Sequence, residues 1–354
     1  MELPIRSHTK PCVCRSKVAD VPQIGAMLWS PSEVVAFKLS QLQEDPTAEG
    51  QPTRFTGNGW QIRVNAFLGE LSRIERGEVH AAPVAADGSF QPWTAVPAEM
   101  FMDRQKSTWL PKLLNDNAMF PYYQPILDVT SGLTIGFEAL MRATVDGRLV
   151  NGGELVDASR AHNALFQFDQ KARTCAIRHA ATRVHAGELL FINFIPMVIY
   201  DPAICLKTTW ETAKEFGWPM DKLVFEVIES EAFPDIDHLR TILDAYREQG
   251  CQVALDDLGT GRTALTYIDE LRPDIIKLAK GLLPDRPRQD DLGMLRGLVE
   301  HARNRNITTL IEGVETPEQL AVVQQLGIDL VQGYLTGKPA AEPVRSVQLL
   351  KRAA

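Results

Sequence analysis

The stretch YYQPILDVTSGLTIGFEAL (122–140) opens a series of short apolar runs that continues to DLVQGY (329–334). The eight runs are YYQPIL (122–127), TIGFEAL (134–140), LLFINFI (189–195), KLVFEVI (222–228), QVALDD (252–257), DIIKL (274–278), TTLIE (308–312) and DLVQGY (329–334). Short, often β-branched runs of this kind are typical of strands buried on both faces of a parallel sheet. Amphipathic patterns such as DQKARTCAIRHAATRV (169–184) and PEQLAVVQQLG (317–327) lie between most of them. Eight strands with intervening helices predict an α/β fold, a (β/α)8 TIM barrel.

One connection departs from a regular barrel. Only DVTSG and its neighbours separate the first two runs, which is far too short for a crossover helix. We therefore expect these two strands to form an antiparallel hairpin with Ser131–Gly132 in the turn. The sequence predicts a modified TIM barrel with an antiparallel first strand.

The chain before the barrel has a different composition, with four of the six tryptophans and several Pro and Gly breaks in its first 110 residues or so. FKLSQLQ (37–43) predicts a helix, and QIRVNAFLGELSRIERG (61–77) predicts an amphipathic helix. We expect residues 1–102 to form a small α+β region of unknown role, either a regulatory, sensor-like or dimerisation module or simply a small core. A connecting helix is predicted over 103–119, leaving the barrel at 120–354.

Composition excludes several classes of protein. The formal net charge of −8 argues against a protein that coats DNA or RNA, because phosphate neutralisation needs clustered Lys and Arg. The sequence has no run long and apolar enough to predict a membrane span, and its N-terminus lacks the pattern of a signal peptide. Five scattered cysteines do not predict a disulfide framework, and Cys12 and Cys14 with His8 are too few ligands for a structural zinc site. We expect a cytoplasmic protein with reduced thiols.

Acids and amides recur where the predicted strands end. They are Glu138, Asn193, Glu226, Glu229, Asp256, Asp257, Glu312 and Gln332, with Lys277 among them. One such residue commonly caps a turn or a helix, but several acids at the same barrel mouth repel one another unless cations neutralise them. Carboxylate and amide oxygens suit Mg²⁺ or Mn²⁺ better than zinc or copper. The pattern predicts a two-metal site for phosphate-ester hydrolysis, at which the larger Ca²⁺ would bind but inhibit.

The same motifs resemble the EAL domain family of cyclic di-GMP phosphodiesterases. FEALMR contains the signature, and the companion motifs follow in family order: QPI, FINFIP, EVIE, DDLGTG, Lys277, EGVET and QGYLTGKP. The resemblance covers about residues 117–345 and rests on the ordered set, since a lone Glu-Ala-Leu has little specificity. It implies hydrolysis of cyclic di-GMP to linear pGpG.

The resemblance also implies a role for each site residue. Glu138, Asn193, Glu226 and Asp256 would hold the first metal and Asp257 the second, with Asp256 bridging. Glu312 would act as general base, with Lys277 hydrogen-bonded to the attacking water. The substrate pocket would comprise Gln124, Pro125, Ile126, Leu140, Arg142, Glu315 and Gln332, with Arg142 gripping a phosphate through its planar fork.

The loop DDLGTGRTAL (256–265) is the part in which the chain departs from the family. Family members use this loop, with Glu229 as its anchor and flexible glycines such as Gly259 and Gly261, to couple dimerisation to the metal site. Leu258 and Arg262 replace the usual aromatic residues, and Ile195 replaces a common Ser. The resemblance implies a homodimer through the barrel, and these departures bear on its regulation more than on its chemistry.

A rival interpretation is a barrel that binds cyclic di-GMP without cleaving it and signals through the N-terminal region. Family members of that type have lost metal ligands, whereas every expected acid is present here. A scaffold that ignores the nucleotide is a third interpretation, which Arg142 and Glu312 disfavour. The intact set of acids favours the enzyme.

Overall fold

The computed structural model describes residues 24–42, 52–228, 235–259, 264–284 and 292–345. The described chain forms two compact units. Among the described residues, the N-terminal unit comprises those from 24 to 116 together with Gly153–Ala164, and the barrel unit comprises Asn117–Gly152 and those from Leu165 onward. The segment predicted to connect the two parts thus falls mostly in the N-terminal unit. None of the helices in the described ranges is long and apolar enough to cross a membrane.

The N-terminal unit is a four-stranded antiparallel sheet with helices. Its elements are β1 (Gly25–Trp29), α1 (Glu33–Ser40), β2 (Thr53–Thr56), α2 (Trp60–Glu70), α3 (Arg73–Gly77), β3 (His80–Val84), β4 (Val96–Pro97), α4 (Ala98–Lys106), α5 (Leu110–Asn115) and α6 (Gly152–Ala161). The strand order is β2-β1-β3-β4. A core that includes Leu28, Trp60 and Phe101 lies between sheet and helices, as expected for a small α+β region.

Two predicted helices are each divided in two. The amphipathic segment 61–77 is divided at Ser72, whose hydroxyl accepts from the Glu75 N–H while the Glu75 carboxylate accepts from the Ser72 N–H. Such a capping box starts a new helix. The predicted connecting helix is divided between α4 and α5 because Pro111, in the first turn of α5, has no N–H and would clash with the Ser107 carbonyl in a continuous helix.

The barrel unit contains all eight predicted strands. Its elements are β5 (Met119–Asp128), β6 (Thr134–Val145), β7 (Arg148–Val150), α7 (Leu165–Ala180), β8 (Leu189–Asn193), α8 (Pro202–Cys205), α9 (Lys207–Glu215), β9 (Leu223–Ile228), α10 (Ile236–Glu248), β10 (Gln252–Leu258), α11 (Ala264–Leu271), β11 (Ile275–Leu278), α12 (Gly293–Arg303), β12 (Thr308–Ile311), α13 (Pro317–Leu326) and β13 (Leu330–Val331). The order β5-β13-β12-β11-β10-β9-β8-β6 closes through pairing of β6 with β5. The predicted modified TIM barrel is confirmed.

The first barrel strand, β5, runs antiparallel to both of its neighbours, β6 and β13, whereas the other pairs in the closed barrel are parallel. The short β5–β6 connection turns at Gly132, which has φ 71°, and Asp128 accepts a hydrogen bond from the Ser131 N–H at 2.6 Å. Glycine takes this left-handed conformation without the strain that a side chain would add.

Strand β7 was not predicted. It pairs antiparallel with the end of β6. Asp146 and Gly147 form the turn between the two strands and have φ 49° and 77°. Positive φ at both central residues is the geometry of a two-residue type I′ hairpin turn, and Asp-Gly is a favoured sequence for it. The Asp146–Gly147 dipeptide could therefore have predicted this hairpin from the sequence. Because β6 runs on into this hairpin, Glu138 lies in the middle of a strand and not at its end.

Candidate active site

Lys277, on β11, lies at the centre of a cluster of four acids contributed by four other strands or strand ends. Its ammonium Nζ lies 2.8 Å from a carboxylate oxygen of Glu312, 3.0 Å from Glu226, 3.1 Å from Asp256 and 3.6 Å from Glu138. The lysine side chain is only 1% exposed. Parallel strands carry these side chains to the same end of the barrel, so residues far apart in sequence meet around one cation.

Two amides hold the carboxylate of Glu138. Asn193, the last residue of β8, donates from Nδ2 to Oε1 at 2.8 Å, and Gln332, just after β13, donates from Nε2 to Oε2 at 2.8 Å. With the Lys277 ammonium these bonds account for both oxygens of Glu138. The structure therefore brings together Glu138, Asn193 and Gln332, three residues that the sequence analysis assigned to one site.

The cluster places four acidic side chains around one ammonium. Burial disfavours the ionised form of Glu138, but the Lys277 ammonium and the hydrogen bonds from Gln332 and Asn193 hold its pKa below the ordinary value. Burial raises the pKa of Glu226 well above its ordinary value and also raises that of Asp256, in both cases against the attraction of Lys277. The acids together outweigh the burial of Lys277 and raise its pKa well above the usual range.

Burial likewise raises the pKa of Glu312 to about 7, with the nearby charges of Asp256 and Glu138 adding to the effect. The side chain is 25% exposed and follows β12, so it is the most accessible of the acids around Lys277. A carboxylate with a pKa near neutrality suits a proton acceptor that operates near pH 7.

The chemistry of these donors fits divalent cations. Both carboxylate oxygens of Glu226 are buried and accept no hydrogen bond from a described residue, although one lies in ionic contact with Lys277. Buried carboxylate oxygens of this kind are usually paired or coordinate a metal. Within the described ranges, no three His, Cys, Asp or Glu side chains are already arranged as a metal site. The acids lie around Lys277.

Asp256 and Asp257 lie near the end of β10, and Asp257 has an unusual backbone conformation. Asp257 has φ 59°, and its N–H donates to Asp256 Oδ1 at 2.8 Å. Gly259 has φ 101°, and a Cβ there would lie 2.5 Å from Leu282 Cδ1. Only glycine fits this position without strain. Glu229, Gly261 and Arg262, which belong to the predicted coupling loop, lie outside the described residues.

Arg142 lies on the same strand as Glu138. Its guanidinium stands 5.4 Å from the centre of the Tyr122 ring, and Nη1 donates to the Met141 carbonyl at 2.8 Å. Both Arg142 and the predicted pocket residue Leu140 are half-buried. From the sequence, Tyr122 was interpreted only as part of a strand.

Three other predicted pocket residues occupy the chain around β5 and β12. Gln124 faces Glu138 across the β5–β6 ladder and donates to the Gly337 carbonyl at 3.4 Å, while Pro125 packs against Gly337. Glu315 pairs with Lys280 at 2.6 Å on the surface. The pairing of Glu315 with Lys280, which follows Lys277 by three residues, was not predicted from the sequence.

The ordered motifs of the sequence thus converge on one site, and a family model described as EAL domain matches residues 107–339. The chain belongs to the EAL domain family. Among curated relatives of this EAL chain is the cyclic di-GMP phosphodiesterase NbdA of Pseudomonas aeruginosa, 28% identical over 65% of the chain and 30% of NbdA. The EAL chain therefore spans about a third of the length of this relative.

Solved structures share the barrel of the EAL chain. A standalone EAL protein of Vibrio cholerae, solved with cyclic di-GMP, matches with a TM-score of 0.59 and 30% identity over 64% of this chain and 95% of that one. BlrP1 of Klebsiella pneumoniae, solved with manganese and cyclic di-GMP, matches with a TM-score of 0.58 and 27% identity over 63% of this chain and 56% of that one.

Proposed function

We propose that this EAL chain hydrolyses cyclic di-GMP to linear pGpG and thereby lowers the level of the messenger. The observation that carries the proposal is the Lys277 cluster, in which four acidic side chains surround one buried ammonium. A ligand set of carboxylates and amides in which acids outnumber cations suits Mg²⁺ or Mn²⁺. The family membership and the relatives named for this reaction or solved with this nucleotide support the substrate.

Glu138, Asn193, Glu226 and Asp256 would hold the first cation, and Asp257 the second. When bound, the cations would neutralise the acids, polarise the scissile phosphate and acidify the attacking water. Glu312 accepts the proton of that water as general base. Lys277, 2.8 Å from Glu312, orients the water and stabilises the negative charge that develops on oxygen.

Arg142 binds the substrate in this proposal. Its planar guanidinium can donate two parallel hydrogen bonds to a phosphate, and Tyr122 beneath it holds its orientation. The neighbouring part of the pocket is lined by Gln124, Pro125 and Leu140. Gln332 holds the Glu138 carboxylate through a hydrogen bond. A homodimer through the barrel, a cytoplasmic location and a regulatory N-terminal unit are further predictions of this proposal.

Metal dependence tests the proposal. Activity should require Mg²⁺ or Mn²⁺, disappear with EDTA and return when either metal is added in excess. Ca²⁺ should suppress it, because the larger ion accepts the same oxygen ligands but holds them loosely and polarises water less. The measurement is chromatographic separation of cyclic di-GMP from pGpG. Turnover that persists in EDTA would rule out the proposed role of the acids.

Arg142→Ala should raise KM by about 10- to 100-fold, as expected when charged hydrogen bonds to a phosphate are lost. kcat should change much less, because a clamp that acts equally on substrate and transition state affects binding and not the chemical step. Arg142→Lys is the matched control. It retains the charge without the two-pronged geometry, so its KM should lie between the parent and the alanine variant. A large fall in kcat at unchanged KM would place Arg142 in the chemistry instead.

A further inference from the structure

A fully buried ion pair lies beside the candidate active site, on helix α7. Asp169 and Arg173 are one turn apart, with Arg173 Nη2 2.9 Å from Asp169 Oδ2, and their side chains are 2% and 1% exposed. Removing two charges from water is costly, and apolar residues of similar volume would often serve stability as well. None of the roles assigned above uses this pair.

The second oxygen of Asp169 makes a contact that a purely structural pair would not need. Oδ1 accepts the backbone N–H of Ile195 at 2.8 Å. Ile195 lies two residues after Asn193, in the loop that follows β8. Asn193 in turn donates to Glu138 Oε1 at 2.8 Å. The ion pair is therefore linked to the Glu138 carboxylate, which Lys277 also approaches. The link consists of the hydrogen bond to Ile195, the chain from Ile195 back to Asn193, and the hydrogen bond from Asn193 to Glu138.

Arg173 fixes Asp169 from the other side. Its guanidinium donates to the Thr209 hydroxyl on α9 and lies 3.5 Å from the Cys205 carbonyl at the end of α8. Asp169 Oδ2 is thus held by Arg173, which α9 and the end of α8 hold in turn, while Oδ1 bonds the Ile195 amide. Some residues do not touch a metal but orient its ligands through hydrogen bonds. Removing such a residue typically weakens metal affinity about 10- to 100-fold.

We propose that Asp169 is a positioning residue for Asn193. By fixing the Ile195 amide it sets the direction in which the Asn193 side chain leaves β8, and Arg173 keeps the Asp169 carboxylate in place. The proposal rests on the proposed binding of divalent cations at Glu138 and Asn193. A competing account is that the pair only fastens α7 to α9 through Thr209.

Two double variants separate these accounts, because they differ only in the acceptor offered to Ile195. Asp169→Leu/Arg173→Met removes both charges and the acceptor, whereas Asp169→Asn/Arg173→Met removes both charges and keeps an amide oxygen. Neither changes the net charge near the site. The readout is the Mn²⁺ concentration that half-saturates the rise in unfolding temperature of the full chain, measured without nucleotide.

The leucine double variant should need about 10-fold more Mn²⁺ or more, and the asparagine double variant should stay within about threefold of the parent. Thr209→Val is a further control, which should lower the unfolding temperature but leave Mn²⁺ affinity within about threefold. Equal Mn²⁺ affinities for the two double variants would overturn the positioning role. If the leucine variant does not fold, Asp169→Ala/Arg173→Met replaces it with the same two outcomes. A parent that shows no response to Mn²⁺ would contradict the proposed function itself.

Discussion

Glu312→Gln should lower the turnover of cyclic di-GMP by about 10²- to 10⁴-fold, the usual effect of losing a general base. Nucleotide binding should remain within a few-fold of the parent. The amide keeps the size and the contact with Lys277, whose Nζ lies 2.8 Å from the carboxylate, but it cannot accept a proton from water. The loss should therefore appear in kcat, with little change in binding measured by calorimetry in the presence of Mg²⁺.

Glu300→Gln is the matched control for this variant. Glu300 is an exposed residue of α12, and the same change of carboxylate to amide there should leave kcat and KM unaltered. A Glu312→Gln enzyme that turns over as fast as the parent would show that another group accepts the proton. Loss of nucleotide binding in this variant would show that Glu312 binds the nucleotide and does not act as the base.

Lys277→Met should abolish activity and destabilise the metal-free protein by about 3–5 kcal/mol at pH 8, the range for breaking a buried ion pair. The ammonium is the positive charge that the surrounding carboxylates share, and methionine leaves them buried without it. Lys207→Met is the control, because Lys207 forms an exposed pair with Glu211 on α9 and should contribute less than about 1 kcal/mol.

The pH dependence of that destabilisation follows from the pKa shifts. Carboxyls whose folded pKa is raised bind protons more readily in the folded state, so stability is lost as the pH rises from their unfolded pKa to their folded pKa. For Glu312 in the parent this interval runs from 4.5 to about 7. Without Lys277 the pKa of each acid, including that of Glu138, should rise, so Lys277→Met should be much closer to the parent at pH 5 than at pH 8. Thermal unfolding in EDTA measures the difference, and an equal loss at both values would contradict the shared-charge account.

The barrel could be predicted from sequence because its strands are short, apolar and separated by amphipathic helices. The antiparallel first strand followed from a connection too short for a helix, and pairing of β5 with β6 confirmed it. The division of 103–119 into two helices was missed because Pro111 was given no weight. The sheet order of the N-terminal unit could not be predicted, since its strands carry no repeating pattern.

The site was predicted as a list of residues, but its arrangement was not. Sequence order cannot show that Lys277 lies within hydrogen-bonding distance of several acids, because that depends on the stagger of strands around the barrel. Asp169 and Arg173 were read as part of an amphipathic helix, although an acid and a base one turn apart on a buried face were a usable signal. Tyr122 gained its significance only from the position of Arg142.

The measurement that tests the central claim most directly is a turnover assay of the full chain in ¹⁸O-labelled water. Purified protein, cyclic di-GMP and Mn²⁺ are incubated, and the products are identified by mass spectrometry. The account predicts linear pGpG with one heavy oxygen on the phosphate for each ring opened, and none in EDTA. Binding of cyclic di-GMP without cleavage, in Mn²⁺ and also in Mg²⁺, would contradict the account and identify the chain as a receptor.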